Sequence, residues 1–431
     1  MTVDLSILEP GEARDPREPT PAELFRGLCT QPRIAFLDGR AGHVDAPWSH
    51  VAWHPRHEFR MEADGTAAID GRPARGDPLA SIDDFLACES AAGRSVIGML
   101  AYELGCWLEP SIRQRARGEL PVAVLVSYDD VLSFDHRSSS WSGPTPRVAE
   151  PILEPCVVQR LRVATDEAAY AELFERARAW IGAGDIYQVN LSIDFDGEIR
   201  GHPALLYERL ASRHPVPYGA YIDCGDFALL SNSPELFLRR RGRSITTRPI
   251  KGTRPRGKNP SEDARRREEL QASVKERAEH VMIVDLERSD LGRVAEIGSV
   301  CVEELEAVRT YPTLHHLESK VTARLRPDAR LSDVLRATFP GGSITGAPKI
   351  RAIEIISELE AQSRGAYTGA ILHHRPGGDF TMSIAIRTAT VVGRHVRYVA
   401  GGAVVWDSTA GEEYRECLLK ARAFLDAARS A

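Results

Sequence analysis

Residues 367–374 read YTGAILHH, 379–392 read DFTMSIAIRTATVV and 395–406 read HVRYVAGGAVVW; EEYRECLLKARAFLDAAR follows at 412–429. The first three runs are rich in β-branched and aromatic residues and are separated by RPGG and GR, which are turn formers. They predict a β-meander. The last run has Tyr414, Leu418, Ala421 and Leu425 at helical spacing and predicts a closing helix. Working outward, FALLSNSPELFLRRRGRSITTRPI (227–250) reads as strands with a turn at Arg241–Gly242, and DIYQVNLSIDF (185–195) as a strand. TDEAAYAELFERARAWIG (165–182) predicts a helix capped by Thr165, with Ala169, Leu173, Ala177 and Ile181 on one face. Residues 261–288 are helical in composition, and 348–360 predict a helix with Pro348 in its first turn. Towards the start, 33–60, 93–104 and 121–135 read as strands, and residues 1–30 as a polar, loosely held lead. Strands in runs, interrupted by helices, predict an α+β architecture. The Ser-, Pro- and Arg-rich stretch 137–155 marks a boundary between an N-terminal subdomain, 1–155, and a second region, 156–431.

The chain has 431 residues, 43% hydrophobic and 27% charged, with a net charge of −6. These values describe a globular protein and argue against a general nucleic-acid binder. No apolar run reaches the roughly 18 residues of a membrane span, and the acidic start lacks a signal core, so a cytoplasmic protein with no membrane partner is expected. Seven cysteines are scattered without a CxxC pair, which argues against structural zinc and a disulfide framework. Lysine occurs six times among 55 basic residues. An amine can lose its proton and act as a nucleophile where a guanidinium cannot, so each retained lysine draws notice.

Glu276 and Glu279 lie three apart on one predicted helix, and Glu413, Glu416 and Lys420 share one face of the closing helix. Two such faces could meet around a hard divalent cation such as Mg²⁺; Glu-x-x-Glu is equally a common solvated helix surface. FPGGSITGAPK (339–349) is a Gly-rich loop running into a helix start, suited to a carboxylate or phosphate or simply a tight turn. It is not a phosphate-binding P-loop, and GxGxxG is absent. In SIAIRT (383–388) alternation places Ser383, Ala385 and Arg387 opposite Ile384 and Ile386, leaving Arg387 to snorkel or to hold a carboxylate. His315–His316 has no metal partner at useful spacing and reads as structural or substrate-bonding. RPIKGTRPRG (248–257) holds one lysine in a loop stiffened by Pro249 and Pro255. Desolvation and the cations Arg248 and Arg254 would lower its pKa and make the amine nucleophilic; a basic surface loop is the plainer alternative.

Together these segments resemble one family, the chorismate-utilising enzymes. The resemblance rests on GDIYQVNLS (184–192), SNSPELFL (231–238), PIKGTRPRG (249–257), AEHVMIVDLERSDLGRVA (278–295), YPTLHHLESKV (311–321), FPGGSITGAPKIRAIEII (339–356), RGAYTGAI (364–371), SIAIRT (383–388) and AGGAVVWDSTAGEEYRECLLKARA (400–423). It implies a β-sheet core folded on itself and flanked by helices. It implies chorismate as substrate and Mg²⁺ as cofactor, ligated by Glu279 and Glu416 with Glu276 and Glu413 supporting through water. By the same resemblance Arg387 and Tyr367 grip the enolpyruvyl carboxylate. Thr345, Gly346, Gly402, Lys420, His316 and Gln188 complete the substrate site, and Glu235 is the general acid for the leaving C4 hydroxyl.

Two positions sort the members. Water-using members have a lysine base where this chain has Gln188, which cannot remove a proton. Ortho-aminating members, the anthranilate synthases, read PIAGT where this chain reads PIKGT. The chain thus resembles the para-aminating branch, in which Lys251 adds covalently at C2 and ammonia then displaces it at C4. This implies 4-amino-4-deoxychorismate as product, on the route to 4-aminobenzoate and folate, with ortho-amination and a catalytically silent chorismate- or tryptophan-binding protein as alternatives. The segment matching the family's tryptophan-pocket motif reads Pro217–Tyr218–Gly219, with Gly in place of Met, which argues against tryptophan binding. No cysteine lies on a Gly-x-Cys-x-Gly turn; Cys106 comes nearest. The chain also closes soon after the last helix, so a separate glutamine amidotransferase subunit is the expected ammonia source.

Overall fold

The expected meander is two hairpins in two different sheets. Ala370–His374 pairs with Phe380–Ile384 in one sheet, and Thr388–Val392 pairs with His395–Val404 in the other. The chain changes sheets at 385–387. There Arg387 adopts φ +53°, the left-handed region that costs a residue with a Cβ. Crossing hydrogen bonds hold the corner: Thr368 N–H donates to Ala385 O (2.8 Å) and Asn232 N–H to Arg387 O (3.0 Å). The alternation read through SIAIRT therefore stops at Ile384, and Arg387 is aimed by the corner rather than by a strand face.

The computed structural model describes residues 18–429 except 41, 44, 45, 110, 113–117, 119, 312 and 313. Among these, every strand pairing is antiparallel, in sheets of eleven and twelve strands. Gln188–Arg200 lies near one edge of the first sheet, between Val157–Val163 and His395–Val404. Leu236–Arg241 and Phe380–Ile384 lie side by side within the second. Strands before residue 155 complete both sheets. Ala35–Asp38 joins Tyr218–Asp223 in the first, and Ser95–Leu100 joins Ala370–His374 in the second.

Burial follows this layering. Ala35, Ala220, Ile222 and Leu229 of the first sheet meet Ile97, Met99, Val124 and Ile371 of the second in a shared apolar layer. The outer face of the first sheet (Leu191, Ile193, Phe195) packs on helices through Phe174, Ile356 and Phe424. The outer face of the second packs on others through Leu86, Val284 and Val334. The α+β core of sheets faced by helices is thus as expected. Each fully buried large aliphatic or aromatic side chain contributes about 1.5–3 kcal/mol.

Several local expectations shift. Residues 261–288 form two helices, Pro260–Ala272 and Val274–Gly292, because Ser273 ends one and caps the next, accepting from Glu276 N–H. The helix Glu167–Ala183 is capped by Asp166, not Thr165, and buries Tyr170, Phe174 and Ala177. Pro348 stands just before the helix Lys349–Leu359 rather than inside it. RPIKGTRPRG is not a loop: Ile250–Pro255 is a strand on Leu314–Arg324. Of the lead expected at 1–30, residues 1–17 lie outside the described residues. Pro21–Leu28 is a helix with a Thr20–Glu23 capping box and buried Leu24 and Phe25. The closing helix Ala410–Arg429 buries Glu413 and Cys417 beside Tyr414, so its acidic face is not opposed to its packed face. No helix among the described residues is long and apolar enough to cross a membrane.

Candidate active site

Lys251 sits on the strand Ile250–Pro255, against which the helix Val274–Gly292 packs. That packing sets its amine 3.8 Å from Glu279 Oε2, both side chains largely buried. The lysine pKa is lowered. Burial acts most strongly and Lys420 adds to it, while Glu279, Glu416 and Glu235 oppose them. The expected cations are not responsible: Arg254 is bound to Glu276 (2.6 Å) and Arg248 to Glu318 (2.6 Å). The strand, both Glu-bearing helices and the SPEL segment therefore converge on this amine.

The four glutamates have distinct settings. Glu276 Oε1 accepts from Arg254, while its Oε2 is buried without a protein partner. This oxygen lies against the lysine strand: a Cβ added to Gly252, at φ +68°, would stand 1.9 Å from it. The glycine next to Lys251 is thus favoured by its φ, and any larger residue there would also have to displace the Glu276 carboxylate. Glu413 Oε1 accepts from the Ser408 hydroxyl (2.6 Å), and burial raises its pKa. Glu416 pairs with Lys420 (2.8 Å), and its pKa is lowered; burial opposes the lowering, and Lys420, Lys251 and Lys275 drive it. The sequence reading placed Arg254 beside Lys251 and gave Ser408 and Lys275 no role; the fold sets Arg254 on Glu276, Ser408 on Glu413 and Lys275 in the field of Glu416. Among the described residues no three His, Cys, Asp or Glu side chains form a ready-made metal cage. The donor set nevertheless fits Mg²⁺, which takes hard oxygens and keeps several waters, and the orphaned Glu276 oxygen is a vacant donor of the right kind.

Glu235 ends the turn between Phe227–Ser233 and Leu236–Arg241 and is buried. Its pKa is pushed up to about 7, chiefly by burial, against the lowering effects of the Ser343 hydroxyl, Lys251, the Ile250 backbone and Arg387. Ser343 Oγ donates to Glu235 Oε1 at 2.9 Å. A carboxyl poised near neutrality can hold a proton and release it. Burial lowers the Arg387 pKa, and Glu235 and Tyr398 are the groups that raise it. Arg387 in turn depresses His316, which burial holds at about 4. His316 is neutral, with Nδ1 against Thr253 Oγ1 (2.9 Å) and Gly252 O (3.3 Å). His315 is bound instead to Asp263 and Thr310.

The opposite wall is the Gly-rich loop. It ends in Gly346–Ala347, which pairs with Gln188–Val189. A Cβ on Gly346, at φ +149°, would lie 2.1 Å from Gln188 O, so only glycine allows this approach. Gln188 is fully buried and neither atom of its amide has a protein partner. Thr345 turns its hydroxyl back to Gly341 O (2.9 Å). Lys420 donates to Gly401 O (2.9 Å), and Gly402 lies against Glu413. Tyr367 is buried, with its ring over the Arg364 guanidinium (5.7 Å between the two). Arg364 ties this wall together. It donates to Ile344 O (3.0 Å), Asn190 O (2.7 Å) and Glu360 (2.8 Å), and stacks on Tyr102. Arg364 stood in a quoted motif without an assigned role. Its tell is an arginine within an apolar, Gly-rich run, but its partners are far off in sequence.

A separate cavity between the two sheets is lined by Asp38, Trp48, His50, Tyr218, Arg375 and their neighbours. None of the side chains expected at the site lines it.

A family profile described as chorismate binding enzyme matches residues 32–426. An aminodeoxychorismate synthase component 1 from Klebsiella aerogenes is 37% identical over 97% of this chain and 99% of its own length. An anthranilate synthase component 1 from Streptomyces coelicolor is also 37% identical, over 96% of this chain and 87% of its own. The crystal structure of anthranilate synthase component I from Streptococcus pneumoniae superposes with a TM-score of 0.77 at 29% identity, covering 90% of this chain and 94% of that one.

Proposed function

The chain belongs to the chorismate-binding enzymes, and on that premise we propose that it aminates chorismate at C4, forming 4-amino-4-deoxychorismate. The observation that carries this reading is Lys251: a buried amine with a lowered pKa, 3.8 Å from the Glu279 carboxylate and in the electrostatic field of the Glu235 carboxyl, which is poised near 7. In the proposed reaction the Lys251 amine attacks C2, both ring double bonds shift by one position, and the C4 hydroxyl departs as water with the Glu235 proton. Ammonia then attacks C4, both double bonds shift back, the lysine leaves C2 as the free amine, and a proton from the new C4 ammonium restores Glu235. Chorismate and ammonia go in; the para-amino product and water come out. Gln188 can orient a nucleophile by hydrogen bonds but cannot deprotonate water, which favours an incoming amine. Arg387 and Tyr367 would hold the enolpyruvyl carboxylate, with His316, Thr345, Gly346, Gly402 and Lys420 around the substrate.

Glu279 and Glu416 would hold Mg²⁺, with Glu276 and Glu413 behind them. When bound, the ion supplies positive charge for the ring carboxylate of chorismate. The ammonia would come from a separate glutamine amidotransferase subunit, and the product would feed 4-aminobenzoate and folate synthesis.

The competing reading, ortho-amination, has relatives of equal similarity; the lysine of PIKGT is what separates the two. Product analysis from chorismate, Mg²⁺ and ammonium salt tests the choice. The para-amino product is expected, and anthranilate in its place would overturn the proposal.

A further inference from the structure

We infer that Ser343 is the positioning residue of the Glu235 acid: its hydroxyl occupies Oε1 and thereby assigns the transferable proton to Oε2. The inference rests on the reading of Glu235 as the general acid.

The geometry is specific. Ser343 Oγ donates to Glu235 Oε1 at 2.9 Å. An oxygen that accepts a hydroxyl hydrogen is the worse place for the carboxyl proton, so the neutral acid is biased to one of its two forms. Ser343 is held firmly enough to do this. It lies in the single turn Gly342–Ile344, and the turn is pinned on both sides. Gly342 N–H donates to Oε1 of buried Glu287 (3.2 Å), and Thr345 Oγ1 donates to Gly341 O (2.9 Å). A Cβ on Gly342 would stand 2.5 Å from Leu286, so the turn lies directly on the helix that carries Glu287. Glu235 is fixed from its own side, since its carbonyl accepts from Ile384 N–H (3.1 Å). The Ser343 hydroxyl therefore joins two rigid backbones at the carboxyl, where the Ile250 backbone N–H also acts with a weaker effect.

The charged groups facing Glu235 are Lys251 from the strand Ile250–Pro255, Arg387 from the sheet-crossing corner and Glu287 from the helix behind the turn. Among the interactions that lower the Glu235 pKa, the Ser343 hydrogen bond is the largest. Deleting the hydroxyl should both loosen the acid and raise its pKa. A residue that merely filled space would do neither.

The test measures kcat, chorismate KM and the pH profile at fixed free ammonia for wild type, Ser343→Ala, Ser343→Thr, Glu235→Gln and the Ser343→Ala/Glu235→Gln double variant. Circular dichroism and thermal melts verify folding. Expected for Ser343→Ala are a kcat loss of about tenfold, as for one well-placed hydrogen bond, and a KM within about twofold of wild type. Its alkaline limb should move to higher pH. Ser343→Thr keeps the hydroxyl and should restore both. In the Glu235→Gln background the alanine substitution should cost nothing further, because Ser343 acts through Glu235. An unchanged kcat and pH profile in Ser343→Ala overturns the inference, as does a loss confined to KM or an equal loss in both backgrounds. If Glu235→Gln itself retains turnover, the general-acid reading fails and this inference falls with it. If Glu235→Gln is inactive while Ser343→Ala is unaltered, only the role of Ser343 is lost.

Discussion

The Lys251 amine lies 3.8 Å from Glu279 Oε2, across the seam between the strand Ile250–Pro255 and the helix Val274–Gly292. A buried amine is ordinarily either held in an ion pair or neutralised. Here a single carboxylate stands just beyond hydrogen-bond distance, with Lys420 opposing it from the closing helix. The pair therefore leaves the amine desolvated without locking it into a tight ion pair, an arrangement suited to a nucleophile.

Replacing Lys251 with Ala should abolish para-amination, with a loss of at least about 10²-fold, as expected when the group that forms the intermediate is removed. Lys251→Arg should be equally inactive, because a guanidinium keeps the charge but cannot add to carbon. Product formation from chorismate and ammonium, followed by chromatography, reads the outcome. Para product at the wild-type rate from either variant would refute the nucleophile.

Glu235→Gln should lower kcat by about 10²–10⁴-fold while leaving chorismate KM nearly unchanged. The raised pKa fixes the sign of the pH dependence. With the carboxyl at about 7, the proton is present below that pH and is lost above it, so kcat at fixed free ammonia should fall above about pH 7. Total rate at fixed ammonium should still rise at first, since free ammonia increases with pH. Separating the two requires varying ammonium at each pH. A kcat that rises through this range at constant free ammonia would contradict the assignment.

Glu279→Gln and Glu416→Gln should weaken Mg²⁺ activation most. Glu276→Gln should have a smaller effect, and so should Glu413→Gln, whose carboxylate already accepts from Ser408. Titration of chelator-treated protein with Mg²⁺, by calorimetry as well as by activity, gives the order. Full activity of all four variants in the presence of chelator would overturn the metal site.

Arg364→Met should destabilise the protein by about 3–5 kcal/mol, the cost of removing one partner from a buried ion pair. Glu360 would lose its cation, and the carbonyls of Asn190 and Ile344 a donor. Urea denaturation measures this. A change below 1 kcal/mol, on the order of an exposed pair, would show that the network contributes little.

Glutamine should not replace ammonium for the purified chain. Cys29, Cys156, Cys224 and Cys417 are buried and Cys106 is pushed up to about 11 by burial and Glu103, so none of these offers a ready thiolate. Adding an amidotransferase subunit should confer glutamine-dependent turnover. Robust glutamine use by the chain alone would mean that a thiol site exists.

What the sequence by itself determined is local chemistry and element type. The β-rich runs after Tyr367, the closing helix and a turn at Gly242, one residue on from the expected Arg241–Gly242, follow from periodicity and turn residues, which act over a few positions. The ordered motifs likewise marked Lys251, Glu235 and the Glu-x-x-Glu faces, because a reaction demands particular functional groups wherever the chain runs. What only the tertiary structure decided is who meets whom. Periodicity could not show that the strands around SIAIRT belong to two sheets, since the corner at Arg387 is set by hydrogen bonds to Asn232 and Thr368, from strands and turns elsewhere. It assigned Arg248 and Arg254 to Lys251 by proximity in sequence. The fold instead pairs them with Glu318 and Glu276 and brings Lys420, 169 positions on, into the lysine's field. Ser343 and Arg364 were legible as residues but not as contacts, because burial and hydrogen-bond geometry exist only once distant segments pack against one another.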